Sequence, residues 1–163
     1  MELAQFVKGS VFVDTSILIH AFTNTRYTKT CEDFLGRVKY GEVSGYINPT
    51  VVDEFFHKLV IFTTYSKKKL TSQKAITYLK RNPDFIRKLN KPFKATTEVL
   101  NDYGFNIMDT SKTLEEALNI SRKHGLLFSD ALHAACCKIY NIPDIATNDA
   151  DFQRVDFLKV WKP

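Results

Sequence analysis

Cysteine is scarce in this sequence: Cys31, Cys136 and Cys137 are the only three among 163 residues. An odd count, with two neighbours in one helical stretch, builds no disulfide framework, and no C-x-x-C pair offers a zinc site. A reducing, cytoplasmic setting is the expectation. Glycine is sparse as well, six in all, and no glycine-rich loop is available to cradle a phosphate. Long apolar runs are missing, since nothing approaches the roughly 20 residues that cross a bilayer. Met1 to Ser10 carries Glu2 and Lys8 and has no apolar signal core, so neither secretion nor a membrane partner is expected. His20, His57, His124 and His133 show no metal-ligand spacing. A Cys/His nucleophile is therefore poorly supported, and Cys136 and Cys137 read as core.

What is present describes an ordinary globular chain. Hydrophobic residues make up 44% and charged residues 25%, which excludes disorder and collagen-like repeats. The length suits one domain over residues 1–163. A chain of this size buries roughly 68–70% of its unfolded surface and needs no staple.

Strand and helix signals alternate along the chain. Val11-Phe12-Val13 reads as a buried strand ended by the helix start Asp14-Thr15-Ser16. Helical stretches follow over 17–22 and 28–40, with Gly41 as the stop. Val43 to Ile47 is a second strand, and Asn48-Pro49 supplies an N-cap and an N1 proline. The next helix carries Val52, Phe55, Phe56 and Leu59 as one apolar stripe. Residues 70–102 are helical, capped by Thr71 and broken at Pro83 and Pro92. Phe105 to Met108 is a strand, and Ser111 opens a helix reaching Lys123 and ended by Gly125. Ser129 caps a further helix with Leu132, Ala135, Cys136 and Ile139 on its apolar face. Ile145 to Thr147 and Phe157 to Trp161 are the last strands. The alternation predicts a three-layer α/β/α fold around a parallel sheet of four to five strands, with a helical insertion between the second and third.

In such a sheet, function gathers where strands end and helices begin, and those positions here are acidic. Asp14 follows the first strand, and Glu54 lies in the second turn after the second strand. Asp130 follows Ser129, and Asp149 and Asp151 follow the Ile145 strand. Taken singly, each has an ordinary explanation. Asp14 caps a helix, Glu54 is solvated, Asp130 complements a helix dipole, and Asp149 and Asp151 shape a turn around Asn148. Together they would crowd one edge, where two charges about 4 Å apart repel by about 4 kcal/mol at an effective dielectric near 20. A divalent cation relieves that repulsion, and oxygen-only donors select Mg²⁺ or Mn²⁺.

These segments resemble a known family. Val11-Phe12-Val13-Asp14-Thr15-Ser16, the Pro49-to-Glu54 helix, Leu127 to Ala135 and Ile145 to Phe152 look like the four signature segments of PIN-domain ribonucleases, which include the VapC-type toxins. The likeness runs in order over nearly the whole chain, and the last two segments are the more specific. It implies that Asp14, Glu54, Asp130 and Asp149 form an acidic quartet holding Mg²⁺ or Mn²⁺, with Asp151 as a fifth ligand. It also implies that Ser16 and Thr147 orient carboxylates or waters. Asp53 precedes Glu54, so the second acid is open by one position, with Glu54 preferred from the family pattern. The resemblance further implies a homodimer and, for toxins, an antitoxin protein over the acidic groove. The stretch from Glu54 to Asp130 is longer than in the smallest members, which bears on substrate choice and dimer geometry.

Charge is segregated. The formal total is +5, yet Lys58 to Lys94 holds eleven basic residues against the single acid Asp84, a balance of +10 that leaves −5 for the remainder. A basic helical arm at about 58–104 beside an acidic body suits a nuclease, the arm holding RNA phosphates. Tyr65 beside Lys67, Lys68 and Lys69, together with Tyr78, offers stacking faces for unpaired bases. The plainer alternative is a solvated lysine-rich face, with Tyr78 packed among Ile76 and Leu79.

Three functions compete. The first is a metal-dependent endoribonuclease. The second is a non-catalytic PIN-like module that binds RNA or protein, for which four intact acids are unneeded. The third is an aspartyl-phosphate phosphatase built on Asp14, whose Asp-x-Asp pattern fails because Ser16 stands at the third position.

Overall fold

A computed structural model describes residues 1–163. The sheet is built from β1 (Gly9–Val13), β2 (Val43–Ile47), β3 (Asn106–Ile107), β4 (Asp144–Ala146) and β5 (Lys159–Trp161). All pairings are parallel, and the strand order is β3-β2-β1-β4-β5. Val11, Phe12 and Val13 are fully buried in succession, as a central strand covered on both faces requires. The chain moves outward from β1 through β2 to β3, then restarts on the other side with β4 and β5. This reversal creates a crevice at the carboxyl ends of β1 and β4, the switch point where open α/β sheets place their sites.

Helices α1 (Thr15–Phe22) and α2 (Thr28–Lys39) connect β1 to β2. The insertion between β2 and β3 contains α3 (Pro49–Lys68), α4 (Ser72–Arg81), α5 (Pro83–Arg87) and α6 (Asn90–Asn101). Helices α7 (Leu114–His124) and α8 (Phe128–Ile139) lead to β4. The main core joins Phe12, Phe34, Phe55 and Phe152 around the sheet, whereas Val60, Leu79 and Leu89 form a separate small core beneath the arm.

Several local expectations shift. In α3 the buried series is Val51, Phe55, Leu59 and Val60, while Val52 and Phe56 are half-buried. Phe56 turns to Phe93 of α6 instead, with ring centroids 5.1 Å apart. Pro92 does not break a helix; it sits in the first turn of α6, where a missing N–H costs nothing because that turn has no intrahelical acceptor. Ser111 does not open α7, because its N–H and hydroxyl both donate to the Asp109 carboxylate (2.9 and 2.7 Å) and close a turn before the helix. Ser129 is not a cap: α8 starts at Phe128 after Leu127, so Asp130 falls at its third position. Helix α8 is buried almost all round, from Ala131 to Cys137, with Ile139 exposed at its end. Strand β3 is shorter than expected, because only Asn106 and Ile107 pair with Tyr46 and Ile47.

Gly45 shows how closely α2 and the β3 approach press on β2. A Cβ at this position would lie 2.6 Å from Val38 Cγ1 and 2.8 Å from two Phe105 ring carbons. Gly45→Ala is expected to destabilise the fold by about 1–3 kcal/mol through overpacking, as urea unfolding would measure.

Candidate active site

Asp14 stands at the switch point as the N-cap of α1. Its Oδ2 accepts from the Ser16 N–H (3.1 Å), the Ser16 hydroxyl (2.6 Å) and the Thr147 hydroxyl (2.9 Å). Those hydroxyls are in turn oriented from the β4 side. Ser16 Oγ accepts from the Asn148 N–H at 3.0 Å, and Thr147 Oγ1 accepts from the Asp149 N–H at 3.0 Å. The ends of β1 and β4 are thus laced together through one carboxylate oxygen.

The other acids gather around Asp130. Its carboxyl is pushed up to about 6, first by burial and then by the negative charges of Asp149, Asp14, Glu54 and Asp151. Residues far apart in sequence therefore lie near enough at this edge for their charges to act on Asp130. Glu54 is half-buried on α3 and accepts from Lys58 Nζ one turn along, at 3.1 Å. Neighbouring Asp53 is exposed and is not among the charges acting on Asp130. Asp149 is exposed, and its Oδ1 accepts from the Asp151 N–H at 2.8 Å. Asp151 is already ion-paired with Arg154, whose guanidinium also donates to the Gly125 carbonyl at 2.8 Å. Asp14, Asp130 and Asp149 have no Lys or Arg within 4.0 Å. The donors are carboxylates and hydroxyls, the set that suits Mg²⁺ or Mn²⁺. No three carboxylates form a ready-made chelate; Mg²⁺ in particular keeps several waters and takes only one or two carboxylates directly.

Sequence reasoning missed Asn48 and His133, both fully buried beneath the site. Asn48 Oδ1 accepts from the Val51 N–H at 3.1 Å and caps α3, which fixes the amide orientation. Its Nδ2 then donates to His133 Nδ1 at 3.1 Å. That bond leaves the imidazole proton on Nε2, which faces Asp14 Oδ1 at 4.0 Å and has no hydrogen-bond partner. Burial lowers the His133 pKa, and the ring packs against Phe12 at 5.1 Å. Nothing in the spacing from Asn48 to His133 could have announced this pair, because it depends on α3 and α8 approaching the same strand end.

The candidate RNA contacts divide between two clefts. Tyr65 packs on Phe62 (5.2 Å) and lines a groove shared with Ile19 and Thr23. Lys68 points the other way, over the Tyr78 and Phe85 rings. Lys67 and Lys69 are exposed, and Lys69 ends α3 in the left-handed conformation.

The chain belongs to the PIN domain family, whose model matches residues 11–158. Among named relatives it is similar to Ribonuclease VapC2 of Methanocaldococcus jannaschii, 28% identical over 161 residues and covering 98% of each chain. Ribonuclease VapC6 of the same organism is also 28% identical, over 94% of this chain and 97% of the relative. In structure the chain resembles a chain of VapBC2 from Rickettsia felis, crystallised with a promoter DNA fragment, at TM-score 0.57 and 15% identity. That match covers 94% of this chain and 98% of the other. A chain of a toxin–antitoxin complex from Klebsiella pneumoniae matches at TM-score 0.52 and 17% identity, over 91% and 95% of the two chains. Both structural matches establish a shared fold.

The crowding at Asp130 has a definite sign. A carboxyl whose pKa is raised on folding binds its proton more tightly in the native state. Its contribution is present in full below the unfolded value and is lost as pH rises through about 6. In EDTA at pH 7, Asp130→Asn should be more stable than the unaltered protein by roughly 1 kcal/mol, after discounting for solvent screening. The difference should shrink as pH falls toward 4 in thermal unfolding scans. Added Mg²⁺ should narrow it by stabilising the unaltered protein more than the variant.

Proposed function

We propose that this chain is a VapC-type endoribonuclease, hydrolysing RNA phosphodiesters with Mg²⁺ or Mn²⁺ held among Asp14, Glu54, Asp130 and Asp149. The observation that carries this reading is that acids from three other segments, Asp14 after β1, Glu54 on α3 and Asp149 with Asp151 after β4, act on Asp130 of α8 at one sheet edge. Kinship to relatives named as ribonucleases supports it. A bound divalent ion would supply an activated water and offset charge developing on the phosphodiester.

The protein's own part is positional. Ser16 and Thr147 hold Asp14 Oδ2 by three hydrogen bonds, so that Asp14 would be held in a fixed orientation toward a bound ion. Such fixed orientation spares reorganisation as charge develops. Asn48 and His133 back the same carboxylate from within. Asp149 lies on the turn after β4, and Asp151 would serve only as an auxiliary because Arg154 already claims it. Lys67, Lys68, Lys69 and Tyr65 would contact RNA from the arm.

The likeness to toxin–antitoxin structures supports an antitoxin protein as a partner, and the family resemblance adds a homodimer. No helix is long and apolar enough to cross a membrane, in keeping with the proposed cytoplasmic setting.

Asp14→Asn, Glu54→Gln, Asp130→Asn and Asp149→Asn are each expected to slow cleavage of a labelled RNA by at least about a hundredfold. Circular dichroism should show their folds retained. Asp53→Asn should leave the rate within about twofold, since surface changes away from a site are mild. Excess EDTA should abolish cleavage and Mg²⁺ restore it. Undiminished activity in EDTA, or in the Asp14 and Asp130 variants, would overturn the assignment.

A further inference from the structure

The arm's positive charge is left uncompensated by its own chain. Of the eleven basic residues from Lys58 to Lys94, only Lys58 and Arg87 have an acid within 4.0 Å, namely Glu54 and Asp84. Lys29, Lys123, Lys138 and Arg154, all outside the arm, each have a carboxylate partner.

Part of this unpaired charge surrounds a cleft. At the elbow between the end of α3, α4 and α5, a cleft of ≈ 400 Å³ is lined by Lys68, Arg81 and Lys88 with Tyr78 and Phe85. The two rings are half-buried and meet edge to face, 5.3 Å apart at 86°. Lys68 Nζ lies 5.3 Å from the Tyr78 centroid and 5.1 Å from that of Phe85, so cation and rings share one space. The one acid on the rim, Asp84, is occupied by Arg87 at 2.9 Å. Pro83 at the first position of α5 stiffens the turn between the rings.

We propose that this elbow is a nucleotide subsite for single-stranded RNA, with Lys68, Arg81 and Lys88 binding phosphate and Tyr78 with Phe85 receiving a base; it rests on the ribonuclease reading for the identity of the strand. The cleft has the volume of a small-molecule pocket and combines the two elements that single-strand binding uses, a cationic track and an aromatic platform. A duplex keeps its bases stacked and cannot present one to the rings. An acidic peptide would satisfy the cations but leave the aromatic faces without a flat partner.

The test measures binding of a fluorescein-labelled oligouridylate to the full chain in EDTA, by fluorescence anisotropy, so that cleavage does not enter. Lys68→Gln/Arg81→Gln/Lys88→Gln should weaken binding by at least about tenfold and reduce the slope of log Kd against log salt by about 2. Tyr78→Ala/Phe85→Leu should weaken it by about tenfold with the salt slope unchanged. Lys29→Gln/Lys123→Gln should have no effect. The subsite is overturned if folded cleft variants bind normally, if an RNA duplex loses affinity to the same extent as the single strand in the ring variant, or if polyglutamate binds through these residues and RNA does not. Cleft-dependent RNA binding without cleavage in Mg²⁺ supports the subsite and defeats only the nuclease reading. Metal-dependent cleavage by cleft variants that also bind RNA normally defeats only the subsite.

Discussion

Mutual repulsion among carboxylates is the constraint around which this molecule is arranged. Left to themselves, like charges at a sheet edge would splay apart or take up protons. The chain prevents the first by fastening Asp14 with the Ser16 and Thr147 hydroxyls, which join the ends of two adjacent parallel strands. The raised pKa of Asp130, owed first to burial and then to the neighbouring acids, registers in part the repulsion that remains, which the proposed divalent cation would relieve. A hydroxyl suits the fastening role because it can donate to the carboxylate while accepting a backbone N–H. Both Ser16 and Thr147 do so.

Much of the fold was readable because its signals are local. Asn48-Pro49 starts α3 where a cap and an N1 proline should, and Gly125 ends α7 at positive φ. Misplaced boundaries arose where a polar side chain had two possible jobs. Ser111 and Ser129 both look like caps, but one is captured by Asp109 and the other lies inside α8. Tertiary neighbours decide such cases, and no window of sequence contains them.

The site is a sharper version of the same lesson. Asp-Thr-Ser occurs twice, at 14–16 and 109–111, each time just beyond a strand at the same edge. Both copies make the same turn, with serine N–H and hydroxyl on the aspartate. Only Asp14 is buried, receives Thr147 and faces other acids. Asp109 is exposed, and its pKa is lowered by the Ser111 hydrogen bonds. What separates them is strand order, since β1 is flanked by β4 and β3 is an outer strand. The resemblance to PIN-domain ribonucleases points to the Asp14 copy, whereas the triplet alone makes no choice between the two. Asn48 and His133 lie beyond either approach, as their partnership exists only after α3 and α8 have packed.

The elbow of the arm, where α3, α4 and α5 meet, sits over its own cluster of three buried side chains, while Leu59, Ala95 and Val99 of the arm join the cluster of 26 around the sheet. Packing changes around Val60, Leu79 and Leu89 therefore need not propagate to the strand ends that aim the acids. Such a division lets drift in one region proceed at little cost to the other. Descendants of this chain can acquire new preferences for what they grip while inheriting the chemistry unaltered.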